Sequence, residues 1–186
     1  MTAIELGLDD RISLVEVSPL DDPAELIARN PSSKVPTLET LDCGPIYDSR
    51  VIQGYLASLA PEAEFFPQGG AEDQWRALTA AATCEAIMDS SVALRIENTR
   101  PAKEQSLIWK RRWASQIGRC LDTLPLQLKA CRRFADFVEL STVVGLAYLD
   151  FRHPTLDWRS GRPELEQLLT SWYDRPSFNS TRFPAA

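Results

Sequence analysis

Two short segments of this chain carry groups that could hold a small anionic ligand. One is Asn30-Pro31-Ser32-Ser33-Lys34-Val35-Pro36-Thr37-Leu38, and the other is Asp48-Ser49. A serine at the start of a helix offers a hydroxyl and free backbone N–H groups, which together suit a carboxylate. Ser49 is predicted to stand at such a start, because the apolar residues after it have helical spacing: Val51, Ile52, Tyr55, Leu56 and Leu59.

Each segment also has a simpler interpretation. Val35-Pro36 predicts a strand that begins at the proline, since proline cannot donate a ladder hydrogen bond. A cis bond would let the backbone of Val35 point at a ligand, but only about 5–6% of X-Pro bonds in folded proteins are cis. Asp48 and Ser49 could serve only as a helix cap. Lys34 could be a solvated loop lysine.

Together the two segments resemble the glutathione-binding signature of the cytosolic glutathione transferases. That resemblance favours a cis Val35–Pro36 bond and a glutathione site formed by Lys34, Val35, Pro36, Asp48 and Ser49. It implies that Lys34 contacts a glutathione carboxylate and that Val35 contacts the cysteinyl backbone. It places Asp48 and Ser49 at the γ-glutamyl end. The family's glycine in the first segment is Ser33 here.

Later stretches resemble bacterial members of the same family. They follow in the family's order as Ile87-Met88-Asp89, Glu97-Asn98-Thr99-Arg100-Pro101, Tyr148-Leu149-Asp150-Phe151-Arg152 and Arg175-Pro176-Ser177-Phe178. The resemblance therefore covers nearly the whole chain.

The signature lies about thirty residues closer to the N-terminus than in the family, if one strand and one helix have average lengths. The family's first strand, first loop and most of its first helix are thus expected to lie upstream of Met1. The Tyr, Ser or Cys that activates the glutathione thiol would lie there too, so no catalytic residue is assigned. A misassigned start is favoured over a short natural variant or a decaying fragment.

The predicted fold is a truncated α/β thioredoxin-like domain over residues 1–60, a linker over 61–70 and an all-α helical bundle over 71–186. In the first domain, residues 12–17 are predicted to form a strand, and Asp22 with Glu25 a helix-capping box. A hairpin is expected to turn at residues 42–44, and Gly7 to end a short helix.

In the helical domain, the pattern predicts helices over residues 72–100, 103–130, 136–151 and 162–173. Asp136 and Glu139 are expected to form a second capping box. His153, the only histidine, is expected in a surface turn. A small apolar electrophile could bind near Ile87, Met88 and Ser91, although a plain core role for these three residues is favoured.

Composition limits the other possibilities. A hydrophobic fraction of 44% supports a real core. One histidine and four cysteines without CxxC spacing give no sign of a metal site or a disulfide framework. Residues 1–66 hold twelve acidic and four basic residues, which argues against nucleic acid and anionic membranes as partners. No signal peptide or membrane span is evident.

Two functions remain open. The first is a cytoplasmic glutathione transferase, whose expected partners are a second copy in a homodimer and a small hydrophobic electrophile. It would use glutathione as co-substrate and need no prosthetic group. The alternative is a non-catalytic module of the same fold that binds ligands or a protein.

Overall fold

The computed structural model describes residues 1–70 and 72–183. They fall into two compact units, Met1–Phe66 and Pro67–Ala186. The first unit is a small α/β structure and the second is helical. This order agrees with the fold class expected from the sequence.

The first unit is organised around an antiparallel hairpin of β1 (Thr37–Thr40) and β2 (Gly44–Tyr47). Helices α1 (Thr2–Glu5), α2 (Ala24–Arg29) and α3 (Ser49–Ser58) complete it. The paired residues are Thr37 with Tyr47, Leu38 with Ile46, Glu39 with Pro45 and Thr40 with Gly44. The predicted hairpin is therefore confirmed, but its turn spans residues 41–43 instead of 42–44, since Gly44 already belongs to β2.

The inner face of α3 fixes that helix against the hairpin. Ile52 and Leu56, one helical turn apart, are buried together with Leu8. Partly buried apolar side chains pack around this cluster: Ala3, Leu6, Ile12, Leu38, Ile46 and Tyr55. Because Leu38 and Ile46 come from the two strands, the start of α3 is held at a defined place beside the sheet.

Gly7 ends α1 as predicted. Its φ of +64° is in the left-handed region, which glycine adopts at no steric cost. The N–H of Gly7 donates to the carbonyl of Ile4 at 3.1 Å, and that of Leu8 donates to Ala3 at 2.8 Å. This pair of bonds is a Schellman cap, and it turns Leu8 into the core.

The strand predicted over residues 12–17 is not formed. Ile12 has extended angles, φ −119° and ψ 127°, but the sheet of the described residues contains only β1 and β2. The side chain of Leu14 is 92% exposed. The apolar pattern fails here because a strand requires a neighbouring backbone for its N–H and C=O groups, and this segment has none within the described chain.

The capping box predicted at α2 is also wrong. Asp22 lies in the left-handed region at φ 44°, and Pro23 takes the N-cap position without a side-chain cap. The helix starts at Ala24, one residue after the predicted first position. The carboxylate of Asp22 is consequently one residue too early to bond the helix amides.

The second unit is built from five helices in the described range. They are α4 (Glu72–Thr99), α5 (Leu107–Ala130), α6 (Ala135–Arg152), α7 (Pro163–Ser171) and α8 (Pro176–Ser180). Helix α4 packs along both α5 and α6, and α7 packs on α6. The prediction missed α8, and it began α5 four residues early because 102–104 form a separate 3-10 turn.

Asp136 and Glu139 do not form the predicted capping box. Helix α6 has Phe134 at its N-cap and no side-chain cap there. Asp136 is exposed and lies 3.8 Å from the guanidinium of Arg175, while Glu139 accepts from the indole of Trp172 at 3.4 Å. Asp136 cannot cap α6, because that helix already begins at Ala135. Its carboxylate and that of Glu139 instead contact residues at the ends of α7 and α8.

His153 is buried, in contrast to the predicted surface position. It is the C-cap residue of α6, 6% exposed, and its Nε2 lies 2.9 Å from the carbonyl oxygen of Ser91 in α4. A polar ring at a helix end can enter a core when one nitrogen finds a partner. The sequence pattern of a turn gave no indication of that partner.

Asp150 holds the segment after α6 in place. Its Oδ1 accepts from the indole Nε1 of buried Trp158 at 2.7 Å. The guanidinium of Arg159 donates to both of its oxygens, at 2.6 and 2.7 Å, and stacks over the Trp158 ring at 4.2 Å. A bidentate pair of this kind fixes orientation as well as charge.

Asp150→Ala is expected to lower the free energy of unfolding by about 1–3 kcal/mol, the usual cost of leaving a buried donor such as Trp158 Nε1 without its acceptor. Asp136→Ala, an equal change at an exposed ion pair on the same helix, should cost less than about 0.5 kcal/mol. Urea denaturation of both variants checks this. Equal losses in the two would contradict the assigned role of Asp150.

Candidate functional site

Asn30 organises the loop before the hairpin. It is 1% exposed. Its amide Nδ2 donates to the carbonyl of Lys34 at 2.9 Å and to Thr37 Oγ1 at 3.2 Å. Its Oδ1 accepts from the backbone N–H and the hydroxyl of Ser32, at 3.0 and 2.7 Å. Both ends of the amide are therefore satisfied inside the loop, which fixes residues 30–37 as one unit.

The fixed loop leaves the N–H and C=O of Val35 without a hydrogen-bond partner in the described chain. The Lys34 carbonyl is held by Asn30 and also by the hydroxyl of Thr37, at 2.9 Å. Val35 follows, 50% exposed, and its bond to Pro36 is cis, as the resemblance implied. Among residues 1–70 and 72–183, the N–H and C=O of Val35 bond to no other backbone group. They are therefore available to a ligand.

Ser33 adopts a conformation that suits glycine better. Its φ is +50°, in the left-handed region, where a Cβ crowds the backbone. Its hydroxyl is buried and has no hydrogen-bond partner among the described residues. Ser33 therefore keeps the left-handed conformation that suits glycine, and the loop is strained at this residue.

Asp48 and Ser49 open α3. Asp48 is the N-cap residue, and its Oδ1 accepts from the N–H of Arg50 at 3.0 Å. Its φ of +72° is unusual for a residue other than glycine, and such outliers concentrate at ligand sites. Ser49 is the first helical residue and is exposed. Its hydroxyl makes no hydrogen bond within the described residues, so the group remains available at the positive end of the helix dipole.

The register of the hairpin brings the two segments together. Thr37 at the start of β1 pairs with Tyr47 at the end of β2. Paired residues in an antiparallel ladder have Cα atoms about 4.5–5.5 Å apart. Val35 and Pro36 immediately precede Thr37, and Asp48 and Ser49 immediately follow Tyr47. All four therefore lie at the same end of the hairpin, and Lys34 joins them through the fixed loop.

Cys43 lies away from this group. It is an exposed free thiol in the turn at the other end of the hairpin. Four residues of strand separate it from Pro36, which corresponds to about 13 Å of extended chain. The structure therefore gives no reason to assign it to a ligand held at Val35 and Ser49.

The remaining three thiols have a raised pKa. Burial raises the pKa of the Cys84 thiol to about 12, despite the nearby Thr142 hydroxyl at 3.3 Å. Burial also raises the pKa of Cys120 and Cys131. A raised pKa disfavours the thiolate, which is the reactive form, so the structure gives no reason to assign these residues to the site.

The residues proposed near the electrophile lie in or beside the helical core. Ile87 and Ser91 are buried in α4, and the Ser91 hydroxyl donates to the carbonyl of Ile87 at 2.7 Å. Met88 is half-buried on the same helix. The favoured interpretation of Ile87 and Ser91 as plain core agrees with this placement.

The described residues contain neither a cluster of metal-ligating side chains nor a helix long and apolar enough to cross a membrane. No three or more His, Cys, Asp or Glu side chains in residues 1–70 and 72–183 are grouped to hold a metal ion. Within the same residues, every helix is too short or too polar to cross a bilayer.

Comparison with known proteins identifies the family. The family model described as "Glutathione S-transferase, N-terminal domain" matches residues 1–59. A glutathione transferase family member from Pseudomonas fluorescens Pf-5, solved with bound glutathione, is 34% identical, with a TM-score of 0.91. The match covers 99% of this chain and 91% of that one. This chain belongs to the glutathione transferase family.

Other solved members are similar over the same range. A glutathione S-transferase from Methylobacillus flagellatus KT with glutathione bound is 27% identical, with 97% of this chain and 90% of that chain covered and a TM-score of 0.87. One from Methylobacterium radiotolerans JCM 2831, in complex with glutathione sulfonate, is 25% identical, with coverage of 100% and 91% and a TM-score of 0.84. A search of the curated proteins finds no match. The expected fold class is thereby confirmed.

Asn30 is the site residue whose role the sequence did not reveal. It belongs to the quoted signature, but its type and position alone did not show that it would be buried and bonded at both ends. An asparagine directly before proline, two residues before a serine, can bond a nearby backbone N–H as an Asx turn. That local pattern is the feature of the sequence that could have indicated the role of Asn30.

Asn30→Ala should destabilise the first unit by about 1–3 kcal/mol, because the loop loses a buried amide that bonds on both sides. Amide hydrogen exchange at Ser32, whose N–H donates to Asn30 Oδ1, is expected to accelerate with it. Asn179→Ala, at an exposed asparagine in α8, provides the matched control and should change neither quantity. Unchanged exchange in the loop of Asn30→Ala would contradict the role of Asn30.

Ser33→Gly should stabilise the protein by about 0.5–1 kcal/mol. Relief of a left-handed residue is worth roughly 1–2 kcal/mol, and the extra freedom of glycine in the unfolded chain offsets about half of it. Ser32→Gly, one residue earlier and outside the left-handed region, should destabilise instead. Thermal denaturation distinguishes the two, and a loss of stability in Ser33→Gly would show that the φ of residue 33 carries no strain.

Proposed function

We propose that this chain binds glutathione at the end of the hairpin and, with a suitable activator of the thiol, transfers the glutathione thiolate to a small apolar electrophile. The observation that carries the proposal is the shared position of Val35 and Ser49, set by the Thr37–Tyr47 pair. The glutathione bound in the relatives supports it.

The Val35 backbone is assigned to the middle of the ligand. Glutathione is a short peptide, and its cysteinyl residue has its own N–H and C=O. These can pair with the N–H and C=O of Val35 as an added strand would, because those groups have no partner in the described chain. Such pairing orients the peptide without depending on its sulfur.

The start of α3 is assigned to the γ-glutamyl end. That end carries a carboxylate and an ammonium group. The hydroxyl and N–H of Ser49 can donate to the carboxylate at the helix N-terminus, and the carboxylate of Asp48 can accept from the ammonium. Lys34 is exposed on the fixed loop, where its ammonium complements the remaining carboxylate of glutathione.

The proposed reaction forms a carbon–sulfur bond. The thiol loses its proton to solvent, and a lone pair of the thiolate sulfur forms the new bond to carbon. In a substitution the leaving group departs with the electron pair of the broken bond. In an addition a π bond breaks, and its electron pair takes a proton from solvent. A free thiol has a pKa near 8.5, so little is ionised at neutral pH. Each unit by which the pKa is lowered requires about 1.36 kcal/mol of differential stabilisation.

The two signature segments offer few free hydrogen-bond donors that could lower the pKa of the glutathione thiol. The hydroxyl of Ser32 is bonded to Asn30, that of Thr37 is bonded to Lys34, and that of Ser33 is buried. Ser49 is assigned to the carboxylate. The 186-residue chain is therefore expected to bind glutathione but to conjugate it slowly. A homodimer in the cytoplasm, as the resemblance implied, is part of the same proposal.

Ser49→Ala should weaken glutathione binding by about 10- to 150-fold, since a hydrogen bond to a charged group is worth about 1.5–3 kcal/mol. Ser58→Ala is the matched control, because Ser58 ends the same helix and bonds only within it, to Tyr55 at 2.6 Å. Isothermal titration calorimetry of the three proteins measures both effects.

The proposal fails if the unmodified chain does not bind glutathione, or if the two serine variants bind it equally. Conjugation of a general electrophile, measured on the same samples, separates the two candidate functions. Binding without turnover, even after the chain is extended upstream, would favour the non-catalytic module.

A further inference from the structure

The first turn of α5 exposes three consecutive apolar side chains. Leu107 is 69% exposed, Ile108 is 72% exposed and Trp109 is 49% exposed. Successive residues of a helix point in directions about 100° apart, so these side chains spread around the turn instead of forming one stripe. A partner helix or groove would contact one side of the turn and leave the others in water, whereas a fluid phase covers all three. We call residues 107–109 the apolar turn.

The part of α5 that follows carries only positive charge. Residues 110–119 contain no Asp or Glu and four basic residues: Lys110, Arg111, Arg112 and Arg119. Its three arginines line an open groove of about 410 Å³ along the exposed side of the helix. The whole chain has a net charge of −6, so this concentration of cations is a local exception. We call residues 110–119 the basic stretch.

The arginines of the basic stretch have no carboxylate partner within residues 72–183. The carboxylates just before α5 are already paired, since Glu97 and Glu104 lie 3.6 and 3.9 Å from the guanidinium of Arg100. The next carboxylate after the stretch, that of Asp122, lies 2.6 Å from the guanidinium of Arg162. The positive charge is therefore uncompensated within the described part of the second unit, and it suits an anionic partner.

The apolar and basic groups are layered along the helix axis. The helix rises about 1.5 Å per residue, so residues 110–112 follow the apolar turn by about 4.5 Å. A bilayer surface has the same order, with acyl chains inside and phosphates outside them. Long basic side chains can lay their stems along apolar surface and keep their charged ends among the phosphates. Duplex DNA offers the phosphates without an apolar layer, so it leaves the apolar turn in water.

We propose that the start of α5 binds the surface of a bilayer that contains anionic lipids. The apolar turn enters the headgroup region, and the cations of the basic stretch pair with lipid phosphates. Two weak signals act together here, because three apolar side chains or four cations alone give only marginal binding. The inference is independent of the glutathione site, which lies in the first unit.

The charge that argued against an anionic membrane belongs to the first unit. Residues 1–66 hold twelve acidic and four basic residues, whereas residues 67–186 hold fourteen acidic and sixteen basic residues. The argument from composition averaged the two units and missed the basic stretch, whose charge is concentrated beside exposed apolar groups. Local charge decides contact with a surface, since exposed charges are screened beyond about 8–10 Å at physiological ionic strength.

Co-sedimentation with vesicles tests the proposal. Vesicles of phosphatidylcholine alone are compared with vesicles of three parts phosphatidylcholine and one part phosphatidylglycerol. The unmodified chain should partition onto the anionic vesicles at least tenfold more strongly than onto the neutral ones. Raising NaCl from 100 to 500 mM should remove most of that difference, because salt screens the attraction between the cations and the phosphates.

Two double variants separate the contributions of charge and apolar surface. Arg111→Gln with Arg112→Gln should weaken binding to the anionic vesicles about 25-fold, which corresponds to about fivefold for each cation near the surface. Leu107→Ser with Ile108→Ser keeps the charge and should weaken binding at least tenfold, because it removes apolar side chains that enter the headgroup region. Circular dichroism of each variant establishes that it is folded.

Arg11→Gln with Arg132→Gln is the matched control. It removes two positive charges from exposed residues outside the basic stretch, and it should leave vesicle binding unchanged within about twofold. An equal loss in this control and in the variant of the basic stretch would overturn the inference, because net charge alone would then explain the binding.

Three further results would overturn the inference. One is equal binding to neutral and anionic vesicles. Another is a serine variant that binds anionic vesicles and duplex DNA as tightly as the unmodified chain, which would assign the basic stretch to polyanions in general. The third is absence of vesicle binding. Glutathione titration of the same samples separates the two proposals, since a chain that binds vesicles but no glutathione overturns the proposed function alone.

Discussion

The pairing of Thr37 with Tyr47 is the constraint on which the candidate site depends. The ladder has only four residue pairs, yet it decides that the loop before β1 and the helix after β2 meet at one end. The core cluster around Ile52 and Leu56 then holds α3 against both strands. A change of register by one residue would move every side chain of a strand to the opposite face and separate Val35 from Ser49.

In the proposed glutathione site, anchoring the ligand and activating its thiol are separate tasks. Anchoring needs backbone groups with no internal partner, which the loop fixed by Asn30 supplies. It also needs the start of a helix, which α3 supplies. Activation needs a donor aimed at the sulfur. The hydroxyls of Ser32 and Thr37 are used to build the loop, so the features that make the anchor rigid also remove these groups from chemistry.

The sequence predicted those features that depend on local pattern. The hairpin, the glycine cap at Gly7 and the long helices followed from periodicity and turn residues, and the family resemblance supplied the cis bond at Pro36. The strand over residues 12–17 failed because a strand depends on a partner that is distant in sequence.

The remaining errors have the same origin. Asp136 was predicted to cap α6 because its spacing to Glu139 suited a capping box, but it lies inside the helix and faces Arg175. His153 was predicted at the surface because it precedes a proline in a turn. Its burial depends on a bond between its ring and the Ser91 carbonyl on another helix, which the local sequence cannot show. The burial of Asn30 was missed for a related reason, since it depends on how residues 30–37 fold together.

The central claim is that this chain holds glutathione through the backbone and carboxylates of the glutathione molecule, and not through the glutathione sulfur. Calorimetric titration with glutathione and with S-methylglutathione tests it directly. The two dissociation constants are expected to agree within about twofold, since methylation replaces the thiol proton with a methyl group and leaves the peptide backbone and both carboxylates unchanged. A tenfold weaker affinity for the methylated peptide, about 1.4 kcal/mol, would contradict the claim by showing that a residue of this chain already binds the sulfur.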